Sequence, residues 1–90
     1  MTLRIFTKKQ FEKDLKRQKK RGKDLSKFAR VAKNLSTEVP LSEKYRNHKL
    51  VGNFSDRWEC HIEADWILIY KKNDQELVFE RTGTHSDLFK

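Results

Sequence analysis

The sequence predicts an α+β fold in which an N-terminal strand and two helices pack on an antiparallel β-sheet meander. Apolar residues recur at helical spacing before Pro40, they alternate with polar residues after His48, and short turns separate the alternating segments. A chain of 90 residues can bury one modest hydrophobic core, so we expect a single domain over residues 1–90.

The first segment indicates a strand followed by a helix. Residues 3–5 alternate apolar and charged side chains, which is typical of a short strand, and we expect this strand to end at Thr7. Thr7 and Gln10 have the spacing of a capping box at the start of a helix. Phe11 and Leu15 then lie four positions apart, on one face of that helix.

A second helix is predicted between Gly22 and Pro40. Gly22 favours termination of the first helix, and Asp24 is of a type that caps the start of the next one. An apolar stripe follows at helical spacing, made up of Leu25, Phe28, Ala32 and Leu35, with Val31 at its margin. Pro40 cannot continue a helix, so it is expected to end this segment.

The second half predicts strands joined by turns. The predicted strands are His48–Asn53, Arg57–Glu63, Trp66–Lys72 and Glu76–Thr82. Alternation in the second of these places Cys60 on the core face and His61 on the opposite, polar face. Residues 66–70 are apolar throughout, which predicts a central strand covered on both faces. After Gly83, one last turn is expected over residues 86–90.

Positive charge is concentrated in the first half of the chain. Residues 1–50 contain 16 Lys and Arg against 5 Asp and Glu, whereas residues 51–90 contain 5 against 8, and the total net charge is +8. The densest field comprises Lys8, Lys9, Lys13, Lys16, Arg17, Lys19, Lys20, Arg21 and Lys23. This field favours a polyanion as partner, although an acidic protein or a merely solvated helix face would fit the same charge.

The sequence also limits the compartment and the kinds of site. No stretch approaches the roughly 20 apolar residues of a membrane span, and residues 1–9 lack the apolar run of a secretory signal, so we expect a cytoplasmic protein. Cys60 is the single cysteine, which excludes an intrachain disulfide and a zinc site built on cysteines. Because Cys60 faces the core, we expect no nucleophilic role for it.

All three histidines lie in the sheet half of the sequence, close to strand ends. His48 opens the first predicted strand of the meander, His61 lies on the polar face of the next, and His85 follows the last. Asp65 occupies the turn before Trp66, which itself is expected in the core. Such positions can gather at one rim of a sheet, where catalytic groups are held rigidly and meet solvent. Each histidine taken singly could equally be a surface or capping residue.

Long motifs in this half resemble a known family. They are the run HIEADWILIY at residues 61–70, the segment FERTGTH at residues 79–85 with Leu88 and Phe89 after it, and NHKL at residues 47–50. Together they resemble the YafQ branch of the RelE-type bacterial toxins. The resemblance covers essentially the whole chain, with a basic helical part at residues 8–36 and a catalytic sheet and C-terminus at residues 48–90.

The resemblance implies the toxin of a type II toxin–antitoxin system, an mRNA interferase. Such a toxin enters the ribosome and cleaves messenger RNA there, and an acidic antitoxin wraps and inhibits it in a complex expected to be a higher-order oligomer. RNA carries its own nucleophile, the 2′-hydroxyl, so the reaction needs an acid, a base and charge stabilisation, and we expect no metal or other cofactor. Histidine suits this task because its ordinary pKa of about 6.5 allows proton donation and acceptance near neutral pH.

Carried over residue by residue, the resemblance implies a catalytic set made up of His48, His61, Asp65 and His85. We expect His85 to protonate the leaving 5′-oxygen, and Asp65 or His48 to assist removal of the 2′ proton. His61 would support the phosphate. RNA-binding positions are expected at Arg81, Phe89, Lys8, Lys9, Lys13, Lys16, Arg17 and Lys20. Arg81 suits a phosphate but could form a structural ion pair, and Phe89 suits base stacking but could fill the core.

Two other functions fit the same residues. The fold could be a non-catalytic module that binds RNA or the ribosome through its basic helix, with the histidines as polar filler. Alternatively, His48, His61, Asp65 and His85 could supply a tetrahedral zinc site. The histidines are spaced 13 and then 24 residues apart, which resembles no compact metal motif.

Overall fold

A computed structural model describes residues 2–50, 52 and 56–89, and it confirms the predicted α+β fold. In chain order its elements are β1 (Arg4–Thr7), α1 (Lys9–Lys20), α2 (Leu25–Ser36), the 3-10 turn η1 (Glu43–Tyr45), β2 (His48–Lys49), β3 (Trp58–Glu63), β4 (Trp66–Lys72), β5 (Glu76–Gly83) and α3 (His85–Phe89). None of the helices in these ranges has the length and apolar content needed to cross a membrane.

The strands form one mixed sheet in the order β1-β5-β4-β3-β2. The pairs from β2 to β5 are antiparallel, as predicted for the meander. β1 instead pairs parallel with β5, from Arg4 opposite Glu76 to Thr7 opposite Phe79. A parallel pair needs a long crossover, which α1, α2 and the rest of the meander supply here.

β4 is the central strand and is buried on both faces. Residues 66–70 are at most 1% exposed, which confirms the prediction made from their uninterrupted apolar run. Trp66 is a core residue whose indole Nε1 donates a hydrogen bond to Thr82 Oγ1 at 2.9 Å. The central strand is therefore firmly held in the core.

The helices pack on one face of this sheet. The rings of Phe11 on α1, Phe28 on α2 and Phe79 on β5 lie with their centroids 5.4–5.6 Å apart, in tilted and edge-on arrangements that aromatic rings prefer. Val31, predicted at the margin of the α2 stripe, is 1% exposed. Cys60 is fully buried in the same core, and burial raises the pKa of its thiol to about 12, so it is inert as a nucleophile.

The start of α2 is as predicted, whereas the predicted capping box at the start of α1 is wrong. Asp24 caps α2 by accepting a hydrogen bond from the backbone N–H of Ser26 at 3.0 Å. At α1 the cap position is Lys8, which makes no side-chain capping bond. The capping box is absent because the helix begins one residue later than predicted, and the hydroxyl of Thr7 donates to the carboxylate of Glu12.

The first strand of the meander is shorter than the predicted His48–Asn53. β2 comprises only residues 48 and 49, although the N–H of Leu50 still donates to the carbonyl of Arg57 at 2.8 Å. Gly52 adopts a φ of +73°, which is incompatible with a strand. Residues 51 and 53–55, which the prediction also included, lie outside the described residues, as does Lys90 of the predicted last turn.

Candidate active site

A buried carboxylate lies between two of the histidines. Glu59 is 6% exposed and stands directly across the β2–β3 ladder from His48. Its Oε2 lies 3.1 Å from His48 Nε2, and its Oε1 lies 3.5 Å from His61 Nε2. The sequence reasoning did not single out Glu59, although its place two residues before His61 put both side chains on the polar face of β3.

Backbone carbonyls hold the other nitrogens of the same two rings. His48 Nδ1 lies 2.7 Å from the carbonyl oxygen of Arg46, and His61 Nδ1 lies 3.4 Å from that of Ala64. A carbonyl can only accept a hydrogen bond, so Nδ1 is the donor in each ring. Nε2 is therefore the nitrogen of each ring that is directed at Glu59.

Asp65 orients the third histidine. Its Oδ1 accepts a hydrogen bond from the backbone N–H of His85 at 3.0 Å and lies 3.4 Å from His85 Nδ1. The backbone hydrogen bond, followed by the ring contact, lowers the pKa of Asp65, so that its carboxyl is ionised at neutral pH. The His85 side chain is 58% exposed, which leaves Nε2 accessible to a substrate.

The two halves of the site meet where His61 faces His85. Their ring centroids are 5.7 Å apart, and the His85 ring lies 5.8 Å from that of Phe89, one turn further along α3. Phe89 is 39% exposed, so it is not the core residue that the sequence left as an alternative. His61 is 9% exposed, and is thus more enclosed than its predicted place on the polar face suggested.

The same atoms form a group with metal-ligating character. Glu59, His61 and His85 each offer a ligand atom, and these atoms lie within 4.8 Å of one another. Imidazole nitrogen and carboxylate oxygen are ligands of Zn²⁺ and Cu²⁺ in proteins. The zinc site considered from the sequence took its carboxylate from Asp65. In the structure Asp65 is hydrogen-bonded to His85, and the carboxylate of the group is that of Glu59.

Arg81 lies in a structural ion pair. Its Nε donates to Asp14 Oδ2 at 2.7 Å, and Asp14 is 1% exposed. The backbone N–H of Thr82 donates to the same carboxylate oxygen at 3.2 Å. This carboxylate joins α1 to β5 through Arg81 and Thr82.

The basic side chains predicted on α1 are exposed, and two arginines at its end contact α3. The exposed set comprises Lys8, Lys9, Lys13, Lys16, Arg17 and Lys20. Arg21 Nη1 donates to Asp87 Oδ2 at 2.7 Å, and Arg17 Nη1 lies 3.7 Å from Oδ1. The hydrogen bond from Arg21, followed by that from the backbone N–H of Thr84, holds the pKa of Asp87 well below its usual range.

A cleft with a volume of about 410 Å³ adjoins His61 on the side of α2 and η1. Its lining includes Lys27, Arg30, Lys44, Tyr45, Arg46 and His61. These residues are distant in sequence, so no local motif could have predicted that they gather. The resulting surface places positive charge next to His61.

Comparisons with known proteins agree with this fold. A family model described as the bacterial toxin of a type II toxin–antitoxin system, YafQ, matches residues 3–90. The mRNA interferase toxin YafQ of Escherichia coli is 44% identical over 81 residues, which are 89% of this chain and 88% of that protein.

Solved structures of related toxins superpose closely. The chain matches a crystal structure of the Escherichia coli DinJ–YafQ toxin–antitoxin complex with a TM-score of 0.92 and 41% identity, covering 100% of both chains. A metal-bound toxin from Helicobacter pylori matches with a TM-score of 0.90 and 46% identity, covering 97% of this chain and 99% of that one. On these grounds the chain belongs to the YafQ family of bacterial toxins of type II toxin–antitoxin systems.

Proposed function

We propose that this toxin is a cytoplasmic mRNA interferase that cleaves messenger RNA on the ribosome by acid–base catalysis, within one domain over residues 1–90. Its Escherichia coli relative carries the name mRNA interferase. The observation that supports the mechanism is the approach of His61 to His85, with a carboxylate behind each ring. An imidazole pair of this kind can donate a proton to the leaving oxygen and stabilise the charge that develops on the phosphate.

The reaction begins when the 2′-hydroxyl of the RNA attacks the adjacent phosphorus. The hydroxyl proton passes to the pair formed by His48 and Glu59, whose Nε2 and Oε2 atoms lie 3.1 Å apart, and the carboxylate balances the positive charge of the ring. Attack breaks the bond from phosphorus to the 5′-oxygen, and His85 donates a proton to that oxygen. The products are a 2′,3′-cyclic phosphate and a 5′-hydroxyl end, and His61, between the two groups, stabilises the charged phosphorane.

Asp65 acts as an orienting group in this assignment. A carboxylate whose pKa is lowered is a weak base at neutral pH, which disfavours Asp65 for removal of the 2′ proton. Its bonds to both the backbone and the ring of His85 instead fix which nitrogen is protonated. Phe89, exposed beside His85, is suited to stack on a base next to the cleaved bond.

The exposed cations of α1 are the surface that we assign to ribosomal RNA and to the antitoxin. YafQ of Escherichia coli has been solved in complex with the antitoxin DinJ. We expect a cognate acidic antitoxin to bind this chain in a higher-order oligomer and to exclude ribosomal RNA by occupying the same positive charge. Binding to the ribosome should accordingly weaken as the salt concentration is raised.

Substitution of the proposed acid tests this function. Ribosomes programmed with a defined message should yield a cut in the decoding site with the unaltered chain, in the presence of a chelator. His85→Ala should reduce the cleavage rate by about 10²–10⁴-fold, because it removes the proton donor. Ser86→Ala, at the neighbouring exposed position of α3, serves as the matched control.

The outcomes separate the remaining alternatives. Equal cleavage by His85→Ala and the unaltered chain would remove His85 from the mechanism. Intact message with the unaltered chain, under conditions where it binds the ribosome, would favour the non-catalytic module.

Inhibition by a metal ion is a second candidate function, favoured by the approach of Glu59, His61 and His85. The related Helicobacter pylori toxin has been solved in a metal-bound form. A Zn²⁺ or Cu²⁺ ion held by these three residues would withdraw both imidazoles from proton transfer. Added Zn²⁺ should then stop cleavage, and a chelator should restore it. Cleavage that is unchanged in excess Zn²⁺ would contradict this function.

A further inference from the structure

The cleft beside His61 carries positive charge that is only partly held in ion pairs. Lys27 is engaged, since its Nζ lies 2.8 Å from Glu63 Oε2, while Lys23 Nζ lies 2.7 Å from Oε1. In the described part of the chain, the side chains of Arg30 and Arg46 make neither a hydrogen bond nor an ion pair. Two exposed guanidinium groups are thus available at the cleft to a ligand that carries negative charge.

The position of the cleft identifies which kind of ligand fits it. His61 is part of the cleft wall and also contacts Glu59 and faces His85, so the cleft opens directly on the site of proton transfer. The carbonyl of Arg46 holds His48 Nδ1, which ties the same rim of the cleft to the proposed base. This position is suited to a nucleotide that adjoins the cleaved phosphate.

We propose that this cleft is a nucleotide subsite, in which Arg30 and Arg46 bind a backbone phosphate of the message next to the one that is cleaved. The proposal rests on the proposed function and adds to it a second RNA surface, separate from the cations of α1. A volume of about 410 Å³ lies within the range of small-ligand sites and accommodates one nucleotide. Tyr45 and Lys44 add an aromatic ring and a cation to the wall, a combination suited to a base and its phosphate.

A pair of substitutions removes this charge while preserving the backbone. Arg30→Gln keeps a good helix former in α2. Arg46 has a left-handed backbone conformation, with φ +47°, and its carbonyl contacts His48. Arg46→Asn is chosen because asparagine tolerates this conformation. Lys33→Gln, at an exposed position of α2 outside the cleft, is the matched control for loss of one positive charge from the same helix.

Cleavage on programmed ribosomes, measured over a range of toxin concentrations, gives the first test. The double variant should raise the half-saturating toxin concentration by about tenfold, because it loses two cations that bind the message. Lys33→Gln should behave as the unaltered chain. A double variant that is indistinguishable from Lys33→Gln would overturn the subsite.

A second test does not depend on cleavage. A trinucleotide with 2′-O-methyl groups cannot be cut, and its addition to the unaltered chain should shift the NMR signals of the His61 ring and of residues 44–46. These shifts should disappear in the double variant. Shifts confined to α1 would overturn the subsite even if the toxin cleaves RNA, whereas shifts at the cleft without any cleavage would support it while the proposed function fails.

A hexaglutamate peptide completes this test. If the peptide shifts the cleft signals and the trinucleotide does not, the surface belongs to an acidic protein partner and the RNA proposal is overturned.

Discussion

Each histidine of the site is held through one ring nitrogen by an oxygen of the fold. The carbonyls of Arg46 and Ala64 hold His48 and His61, and the Asp65 carboxylate holds His85. Fixed tautomers of this kind assign the chemistry to the remaining nitrogens. Chemically identical side chains can thus take different roles, because two Nε2 atoms face a buried carboxylate and the third is open to substrate.

Glu59→Gln tests the role of the buried carboxylate. The amide keeps the size of the side chain but loses the charge that stabilises an imidazolium on His48, so we expect cleavage on programmed ribosomes to fall by about 10²-fold. The pH dependence of cleavage should change as well, because the amide of glutamine cannot take up a proton. Thermal unfolding of the variant provides the check on its fold.

Glu80→Gln is the control for this change, because Glu80 pairs with Arg57 on the same sheet and contacts none of the histidines. Retention of full activity by Glu59→Gln, with an unaltered pH profile, would rule out participation of Glu59 in proton transfer.

Part of the site could be predicted at this scale and part could not. The motifs directed attention to the three histidines and Asp65, since residue types and their order are visible in the sequence. Glu59 was missed because its significance depends on the cross-strand partner, which only the β2–β3 register defines. Arg81 fitted a phosphate by its chemistry, but the buried partner Asp14 is 67 positions away and its contact is invisible to local patterns.

At the level of elements, α3 depends on contacts outside itself. A helix of five residues is too short to form alone, yet it carries both His85 and Phe89. Thr84 and Asp87 cap it reciprocally, with the N–H of Thr84 donating to the Asp87 carboxylate at 3.0 Å and the N–H of Asp87 donating to Thr84 Oγ1 at 3.1 Å. The ion pair with Arg21 then ties α3 to the end of α1.

Gly83 makes this arrangement possible. A Cβ atom at this position would lie 2.8 Å from Asp87 Oδ2, so a larger residue would push the carboxylate away from its partners. The sequence indicated Gly83 as a break in the strand. The same glycine also leaves room for the Asp87 carboxylate of α3.

Asp87→Asn tests whether this tether positions the catalytic helix. The amide oxygen can still accept from Thr84, but the ion pair with Arg21 is lost, and we expect only a small loss of stability because an exposed ion pair contributes little. Cleavage should fall by about tenfold, with the loss in the maximal rate and not in the half-saturating concentration, because His85 is displaced. Asp74→Asn, an exposed turn residue, is the control.

Arg21→Lys should retain more of the activity than Arg21→Ala, since a lysine can still pair with Asp87. Equal activity in all three variants and the unaltered chain would show that α3 does not need the tether.

Elements with strong local patterns were predicted well, and the exceptions have identifiable causes. β4 and α2 agree with their apolar periodicities. β2 was predicted too long because the alternation of apolar and polar residues does not reveal the positive φ of Gly52. The direction of β1 relative to β5 is a property of the sheet order, which the residues of β1 do not encode.

On the scale of the whole molecule, carboxylates tie the elements together. Glu63 links β3 to α2 through Lys23 and Lys27, and Asp87 links α3 to α1. These contacts lower the pKa of Glu63 and Asp87 in the folded chain, and the hydrogen bonds from His85 lower that of Asp65. The chain has a net positive charge, and these ion pairs reduce the repulsion among its basic side chains.

We predict acid destabilisation from these shifts. A carboxyl whose pKa is lower in the folded than in the unfolded chain contributes stability above its unfolded pKa of about 4, and this contribution is lost as the pH falls toward the folded pKa. The urea midpoint should therefore be lower at pH 3 than at pH 7. The drop should be smaller in Asp87→Asn, which has no proton to take up at that position.

A urea midpoint that is constant or rises between pH 7 and pH 3 would contradict this account, as would an identical drop in the unaltered chain and Asp87→Asn.

The buried thiol of Cys60 has a use beyond packing. Because the chain has a single sulfhydryl, and this one is fully enclosed between α2 and the central strands, alkylating reagents can modify it only when the sheet opens. Labelling kinetics therefore report on the opening of this region without any engineered probe. The same reaction can compare partner-bound and ribosome-bound toxin. A slower alkylation rate of the Cys60 thiol in either complex would measure how far binding suppresses local opening of the core.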